Sequence, residues 1–514
     1  MWSEQHKEAF KQHQLAAKIG GGMARYERQR EQGKLTARER IDLLFDKGTF
    51  VEVGALREAR PNLYGDRSVE IVGDGVVVGY GKVNGRAVYA SSEDFTVNGG
   101  SLGEVHSSKI CECMDMAMAA KAPFVSINDS GGARIDEGVC SLSGYSGMFL
   151  RNTLASGVIP QIAVILGPCA GGACYSPAIC DFIFMARDTA KMFITGPAVV
   201  KAVTREEVTF EDLGGARMHS SVSGVAHFVY NDDRECIMGV RRLLSYLPQN
   251  NELEPPKAEP LSIDRSDEIE SIVPDDKRWG YDVRDVISTF ADGGDFLEVH
   301  ADFAKSVVVG LCRLDGRVLG VVANQPSKLA GSLDVDSSDK AARFVRFCDC
   351  FNIPILSLVD VPGYFPGVAQ ERAGIIRHGA KLLYAYAEAQ VPKVTLIMRK
   401  AYGGAYIAMN SKMMGADFVF AWPIAEIAVM GAEGAVDILH RREIRAAADP
   451  AAARAEFVAE YEDKHLNPYF AAANGLVDEV IAPEDTRRRL AQAFESLKYK
   501  KVDRPWKKHG NIPL

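Results

Sequence analysis

Short apolar runs recur along the first half of the chain and again along the second. In the first half they read GVVVGYG (75–81), RAVYASS (86–92), PFVSIND (123–129), QIAVILG (161–167) and DFIFMA (181–186). Each is rich in β-branched or aromatic residues and bounded by Gly or Pro, the pattern of a buried strand. Helical stretches lie between them, one after Gly103 rich in Met and Ala and another after Arg134. Short strands alternating with helices predict an α/β fold with largely parallel strands. Their shortness predicts sheets that turn corners rather than one long open sheet.

The halves match each other. At one constant offset, Gly85-Arg86 falls on Gly316-Arg317, Ser101-Leu102 on Ser332-Leu333, Ser107 on Ser338, Lys109 on Lys340, Pro123 on Pro354 and Asp129 on Asp360. One residue further, Pro160 falls on Pro392 and Gly171-Gly172-Ala173 on Gly403-Gly404-Ala405. Asp181-Phe182 and Gly196 find partners in Asp417-Phe418 and Gly431. Ordered matches at nearly constant spacing mark a duplicated domain. Between the copies, residues 248–278 carry Pro248, Pro255, Pro256, Pro260 and Pro274 among many charges. That composition predicts a surface linker. The expected division is 1–255, a linker at 256–278, and 279–514.

Bulk properties narrow the class. At 514 residues the chain exceeds one ordinary core. A net charge of −8 with no basic block argues against nucleic acid. The most apolar region, 156–186, is interrupted by Pro160, Gly167, Pro168, Pro177 and Asp181, whereas a bilayer helix wants about 20 unbroken apolar residues. The N-terminus carries Glu4 and Glu8 and lacks the apolar core of a secretory signal, so a cytoplasmic protein is expected. The ten cysteines include no C-x-x-C pair and read as reduced, mostly packed thiols; no metal site is expected.

The chemistry concentrates in RKAYGGAYIA (399–408) and its relative GPCAGGACYS (167–176). Each places Gly-Gly-Ala between an apolar strand and an apolar helix. A helix N-terminus offers unsatisfied N–H groups and partial positive charge, and glycine lets a ligand oxygen approach them. Two such amides aimed at one point form an oxyanion hole, where losing one donor costs roughly 2.7–4 kcal/mol. Glycines that merely permit tight packing are the plainer explanation, and the duplication weakens it. A third turn, NDSGGARIDEG (128–138), corresponds to VDVPGYFPGV (359–368). Neither is a dinucleotide or Walker loop. Ser130 lacks the G-x-S-x-G elbow, and its counterpart is Val361, which argues against a serine nucleophile. Neither helix after a glycine pair opens with Glu or His, so proton handling is left to substrate or cofactor.

The motifs DSGGARIDEG, GPCAGGACYSPAICDF, MFITGP, DLGGAR, SYLPQNN, DVPGYFPG, RKAYGGAYIAM and the terminal KKHGNIP cover the whole chain in order. The chain resembles the carboxyltransferase subunits of biotin-dependent acyl-CoA carboxylases and decarboxylases. Within that family it is most similar to propionyl-CoA carboxylase β, methylmalonyl-CoA carboxyltransferase and methylmalonyl-CoA decarboxylase α subunits. The resemblance implies two tandem crotonase-like (ClpP/crotonase superfamily) domains, the first on the acyl-CoA side and the second on the carboxybiotin side. It also implies a homohexamer of two stacked trimers, with each active site formed by the N-terminal domain of one chain and the C-terminal domain of another. Carried over, one oxyanion hole is Gly171, Gly172 and Ala173, and the other is Gly403, Gly404 and Ala405. Which serves the thioester enolate and which the biotin ureido oxygen stays open. Gly131, Gly132, Ala133 and Tyr175 fall on the CoA thioester side, and Pro362, Gly363 and Tyr364 on the biotin side.

Ile407 departs from the propionyl-specific members, which often carry Asp there, and an apolar residue shifts acyl preference. The short propionyl-CoA/methylmalonyl-CoA pair is the first expectation, with acetyl-CoA/malonyl-CoA or longer acyl groups as alternatives. The chain has no A-M-K-M biotinylation motif and no ATP-grasp loop. The implied partners are therefore a biotin carboxyl carrier protein and either a biotin carboxylase or a membrane decarboxylase subunit. A biotin-independent crotonase-type hydratase or isomerase, and a non-enzymatic scaffold, are the competing readings.

Overall fold

The computed structural model describes residues 2–60, 72–261 and 264–514. It divides into two compact units, Met1–Glu254 and Pro255–Leu514. The first contains strands β1 (Val51–Val53), β2 (Val76–Val83), β3 (Arg86–Glu93), β4 (Phe124–Ser130), β5 (Gln161–Ala170), β6 (Phe182–Ala186), β7 (Lys191–Phe193) and β8 (Phe228–Tyr230). The second contains β9 (Phe296–Val299), β10 (Val307–Leu314), β11 (Arg317–Asn324), β12 (Ile355–Val361), β13 (Lys393–Tyr402), β14 (Phe418–Ala421), β15 (Glu426–Ala428) and β16 (Glu479–Val480).

Both sheets share one topology. The first runs β1-β2-β3-β4-β5-β6-β8 with β7 on β5, and the second β9-β10-β11-β12-β13-β14-β16 with β15 on β13. An antiparallel edge meander, β1-β2-β3 or β9-β10-β11, leads into parallel strands. The corner is visible within a single strand. β5 pairs with β6 through Ile162–Ile165 and then with β7 through Pro168–Ala170. β13 divides itself between β14 and β15 in the same way.

The centre of each sheet is apolar because parallel strands bury both faces. Every residue of β4 and of β12 is buried. The second unit's core gathers Val286, Ile287 and Phe290 from helix Val283–Phe290 with Leu356 and Leu396 from the sheet and Trp422 just past β14. Ile269 and Val273, from the stretch expected as a linker, are buried in that core too. Proline and charge density hid their apolar spacing.

The duplication extends to buried charges. Lys109 Nζ donates to the carbonyls of Gly73 and Val76 at 2.7 and 2.5 Å, and Lys340 Nζ to those of His300 and Phe303 at 3.0 and 2.8 Å. Each ammonium closes a loop by its carbonyls, and burial lowers both lysines to about 8.

Candidate active site: two glycine turns

Both turns begin where a central strand ends. β5 stops at Ala170 and Gly171, at φ 61°, opens a tight helical turn Gly171–Cys174. β13 stops at Tyr402 and Gly403, at φ 58°, opens helix Gly403–Ala408. An L side chain is strained in that left-handed conformation, so the first glycine of each pair is a backbone requirement. The N–H groups that follow belong to a helix's first turn, where no intrahelical acceptor exists.

The second glycine of each pair has a different reason. A Cβ on Gly172 would lie 3.0 Å from the Tyr145 ring, so a side chain there would press on that ring. A Cβ on Gly404 would meet nothing nearer than the Tyr364 ring at 4.0 Å. Gly404 also lacks a positive φ. Neither conformation nor packing within the chain calls for glycine there, although glycine costs a helix about 1 kcal/mol relative to alanine. Space is held open over the helix N-terminus.

The flanking turns correspond residue by residue. Leu102 donates its N–H to Gly132 O at 2.9 Å and accepts that of Arg134 at 3.0 Å; Leu333 donates to Gly363 O at 3.2 Å and accepts that of Phe365 at 2.7 Å. Ala133 and Tyr364 thus hold equivalent places. Gly131 N–H is spent on Gly99 O at 2.9 Å and Gly132 N–H on Ser130 Oγ at 3.2 Å. These glycines shape the turn and have no N–H left for a ligand. Ser130 is itself buried and donates to Gly100 O at 2.6 Å, which removes it as a nucleophile.

The Tyr364 ring lies 3.0 Å from where a Cβ on Gly379 would sit, and its buried hydroxyl finds no hydrogen-bond partner among the described residues. Burial pushes that phenol up to about 12. Tyr175 and Ile407 are each about half exposed beside their turns. Pro362, which has no N–H, precedes Gly363. Cys169 and Cys174 bracket the first turn, Cys174 Sγ donating to Cys169 O at 2.8 Å and Cys169 Sγ to Ala173 O at 3.2 Å. Eight of the ten cysteines are buried.

Behind each turn sits a buried carboxylate. Asp129 takes Lys34 and Arg40 as partners, and Asp360 takes Arg399. Both aspartates were visible as repeated positions in buried strands, which was the available signal. The cations and Tyr145 were not recognisable from spacing, whereas Tyr364 was carried over from the family resemblance. No group of three or more His, Cys, Asp or Glu that could hold a metal occurs among the described residues. No helix among them is long and apolar enough to cross a membrane.

Residues 28–512 match the carboxyl transferase domain model. The chain belongs to the carboxyl transferase family. It is 57% identical over 497 residues to the propionyl-CoA carboxylase carboxyltransferase subunit of Haloferax mediterranei, covering 96% of each. It is 54% identical over 499 residues to the methylmalonyl-CoA decarboxylase α subunit of Propionigenium modestum, again covering 96% of each. The crystal structure of transcarboxylase 12S, a hexamer with methylmalonyl-coenzyme A and methylmalonic acid bound, superposes with a TM-score of 0.97 at 53% identity, covering 100% of this chain and 99% of that one. The two units are tandem crotonase-like domains, as the family resemblance implied.

Proposed function

We propose that this member of the family moves a carboxyl group between biotin on a carrier protein and the α carbon of a short acyl-CoA, with propionyl-CoA/methylmalonyl-CoA as the substrate pair. The observation that carries the reading is the room at Gly404, left open over a helix N-terminus by a chain that has no use for it. The relatives named above, acting on propionyl-CoA or methylmalonyl-CoA, support the substrate class.

Bound carboxybiotin supplies the carboxyl group and, once that has left, a nitrogen able to take the α-proton. The chain's own residues supply electrostatics. The amides of Gly171, Gly172 and Ala173 hold one developing oxyanion, and those of Gly403, Gly404 and Ala405 hold the other. Gly131, Gly132 and Ala133 set the thioester end; Pro362, Gly363 and Tyr364 set the biotin side. Tyr175 and Ile407 flank the acyl group. No side-chain acid or base is required, in keeping with first helical turns that contain none. We place the protein in the cytoplasm as a homohexamer. A biotin carboxyl carrier protein and a biotin carboxylase or membrane decarboxylase subunit complete the reaction, and this subunit needs no metal.

The test is turnover of methylmalonyl-CoA by the purified protein with free biotin, followed as propionyl-CoA release, with malonyl-CoA run in parallel. Biotin-dependent release of propionyl-CoA is the expected result. Preference for malonyl-CoA would assign an acetyl-CoA enzyme, for which the apolar Ile407 is the motivating feature. Biotin-independent turnover of an enoyl-CoA would replace the proposal with a hydratase.

A further inference from the structure

The strand leading to each glycine turn carries the same wide bulge. Between β4 and β5 the pairing passes from Asn128–Ile165 to Ser130–Cys169; between β12 and β13 it passes from Val359–Ile397 to Val361–Ala401. One aspartate, Asp129 or Asp360, therefore faces three residues of the neighbouring strand: Leu166, Gly167 and Pro168, or Met398, Arg399 and Lys400. Three positions further on, the glycine turn begins.

In the second unit the strand itself answers the carboxylate. Asp360 accepts Arg399 Nε at 2.8 Å and the Lys400 N–H at 3.2 Å. Arg399 is 2% exposed, spans to the carbonyls of Pro274 and Trp279 at 3.0 and 3.1 Å, and lies 4.8 Å from the Tyr281 ring centre. In the first unit neither partner can exist on the strand. Pro168 stands where Lys400 does and has no N–H. Gly167 stands where Arg399 does, and a Cβ on it would lie 1.9 Å from Asp129 Oδ1 and 2.7 Å from Lys34 Nζ. The missing cation comes instead from the segment before the first sheet. Lys34 Nζ reaches the two Asp129 oxygens at 2.7 and 2.6 Å and lies 4.6 Å from the Phe95 ring centre. Arg40 bridges Asp129 at 3.0 Å to Asp233 at 2.8 Å. Gln29 adds a bond to Asp129 at 3.4 Å.

We infer that Lys34, with Arg40, is the positioning residue for the first glycine turn, as Arg399 is for the second. Each buried ion pair fills a bulge that joins a glycine turn to its flanking turn, because the aspartate leads directly into Ser130-Gly131-Gly132 or Val361-Pro362-Gly363. A cation removed from the bulge releases both turns of its own unit. The N-terminal segment is thus part of the first site's support, doing from a distance what one strand residue does in the second copy. The catalytic side of this inference rests on the carboxyltransferase reading, whereas the structural side does not.

The experiment pairs Lys34→Met with Arg399→Met and reads amide hydrogen exchange, which needs no activity. Lys34→Met is expected to speed exchange about tenfold or more across residues 166–173 while residues 398–405 keep the wild-type rate, and Arg399→Met to do the reverse. Acceleration in both units, or in neither, overturns the inference. Should Lys34→Met fail to fold, Lys34→Met/Asp129→Asn removes the uncompensated charge and is held to the same two outcomes. Where the wild type shows biotin-dependent turnover, both variants are expected to lose about tenfold or more in kcat, because small misplacements of reacting groups are costly. They are also expected to raise different KM values, one for acyl-CoA and the other for biotin. A shared KM effect overturns the positioning roles. Absence of turnover in the wild type would remove the proposed function and leave the exchange result standing.

Discussion

Glu93 Oε2 accepts the backbone N–H of Asp129 at 2.9 Å from a fully buried position, and in the second copy the neutral Asn324 does the same for Asp360 at 3.3 Å. Desolvation pushes Glu93 up to about 8, with the Asp129 charge adding to the effect and Arg40 opposing it. His106, the other group facing it, stands 3.7 Å from Oε1 and is lowered to about 3 by burial, hence neutral. Glu93 therefore works as a neutral carboxyl.

A pH dependence follows from its two protonation states. Folded Glu93 holds its proton up to about 8, while an unfolded glutamate releases it near 4.5. The raised value favours folding fully below about pH 4.5, and the benefit is lost as pH climbs through 8. Glu93→Gln, which keeps an oxygen for the Asp129 N–H and never ionises, should melt progressively later than wild type as pH rises from 6 to 9. The check is the difference in Tm between the two proteins across that range, and a constant difference would show Glu93 to be ionised throughout.

Gly404→Ala separates stability from function. The site's backbone suits alanine and nothing in the chain blocks the methyl, so the variant should be about 0.5–1 kcal/mol more stable. It should lose about a hundredfold in kcat/KM, because the methyl occupies the space over the helix N-terminus. Gly172→Ala, whose methyl meets Tyr145 at 3.0 Å, should lose stability instead. Thermal melts beside turnover measurements decide it; a fully active Gly404→Ala would remove the oxyanion role from the second turn. Replacement of either glycine by valine should abolish transfer.

What the sequence made legible was whatever depends on local pattern. Strands, the repeat and the glycine turns follow from periodicity and from conformations only glycine adopts, and all are present. Residues acting through space were not legible. Lys34 reads as one more charge in a polar segment until folding carries it to Asp129, and Glu93 reads as an exposed strand end until burial neutralises it. Ile269 and Val273 were hidden by the prolines around them. Gly404 and Gly172 look alike in the sequence, and only their surroundings distinguish them.

Core packing in the second unit makes a separate prediction. Trp422 is fully buried and donates its indole N–H to Thr486 Oγ1 at 3.1 Å. Thr486→Val keeps the volume but strands the donor, and should cost about 1–3 kcal/mol. Trp422→Ala should cost about 3–5 kcal/mol. Chemical denaturation measures both, and equal losses would place the hydrogen bond above packing in this core.

Prolonged chelation should leave carboxyl transfer unchanged. The described residues bring no three metal-binding side chains together, and on the proposed mechanism amide donors would supply the charge stabilisation that a Lewis acid otherwise provides. Loss of turnover on chelation, restored by one divalent metal, would assign part of the oxyanion stabilisation to an ion.

Acyl selectivity should respond to Ile407. The residue is 45% exposed on the short helix that opens at Gly403, so its side chain reaches outward and the fold does not depend on it. Ile407→Asp should leave Tm within a degree or two, because a half-exposed carboxylate stays hydrated. Exchanging an apolar side chain for a charged one alters any contact it makes with the acyl group, and one methyl-sized contact is worth about 1–3 kcal/mol, or 10–200-fold in discrimination. If Ile407 supplies that contact, Ile407→Asp should change the ratio of kcat/KM for methylmalonyl-CoA over malonyl-CoA at least about tenfold. An unchanged ratio, with turnover retained, would show that the acyl group is selected by the first unit, where Tyr175 holds the corresponding outward place two residues past Ala173.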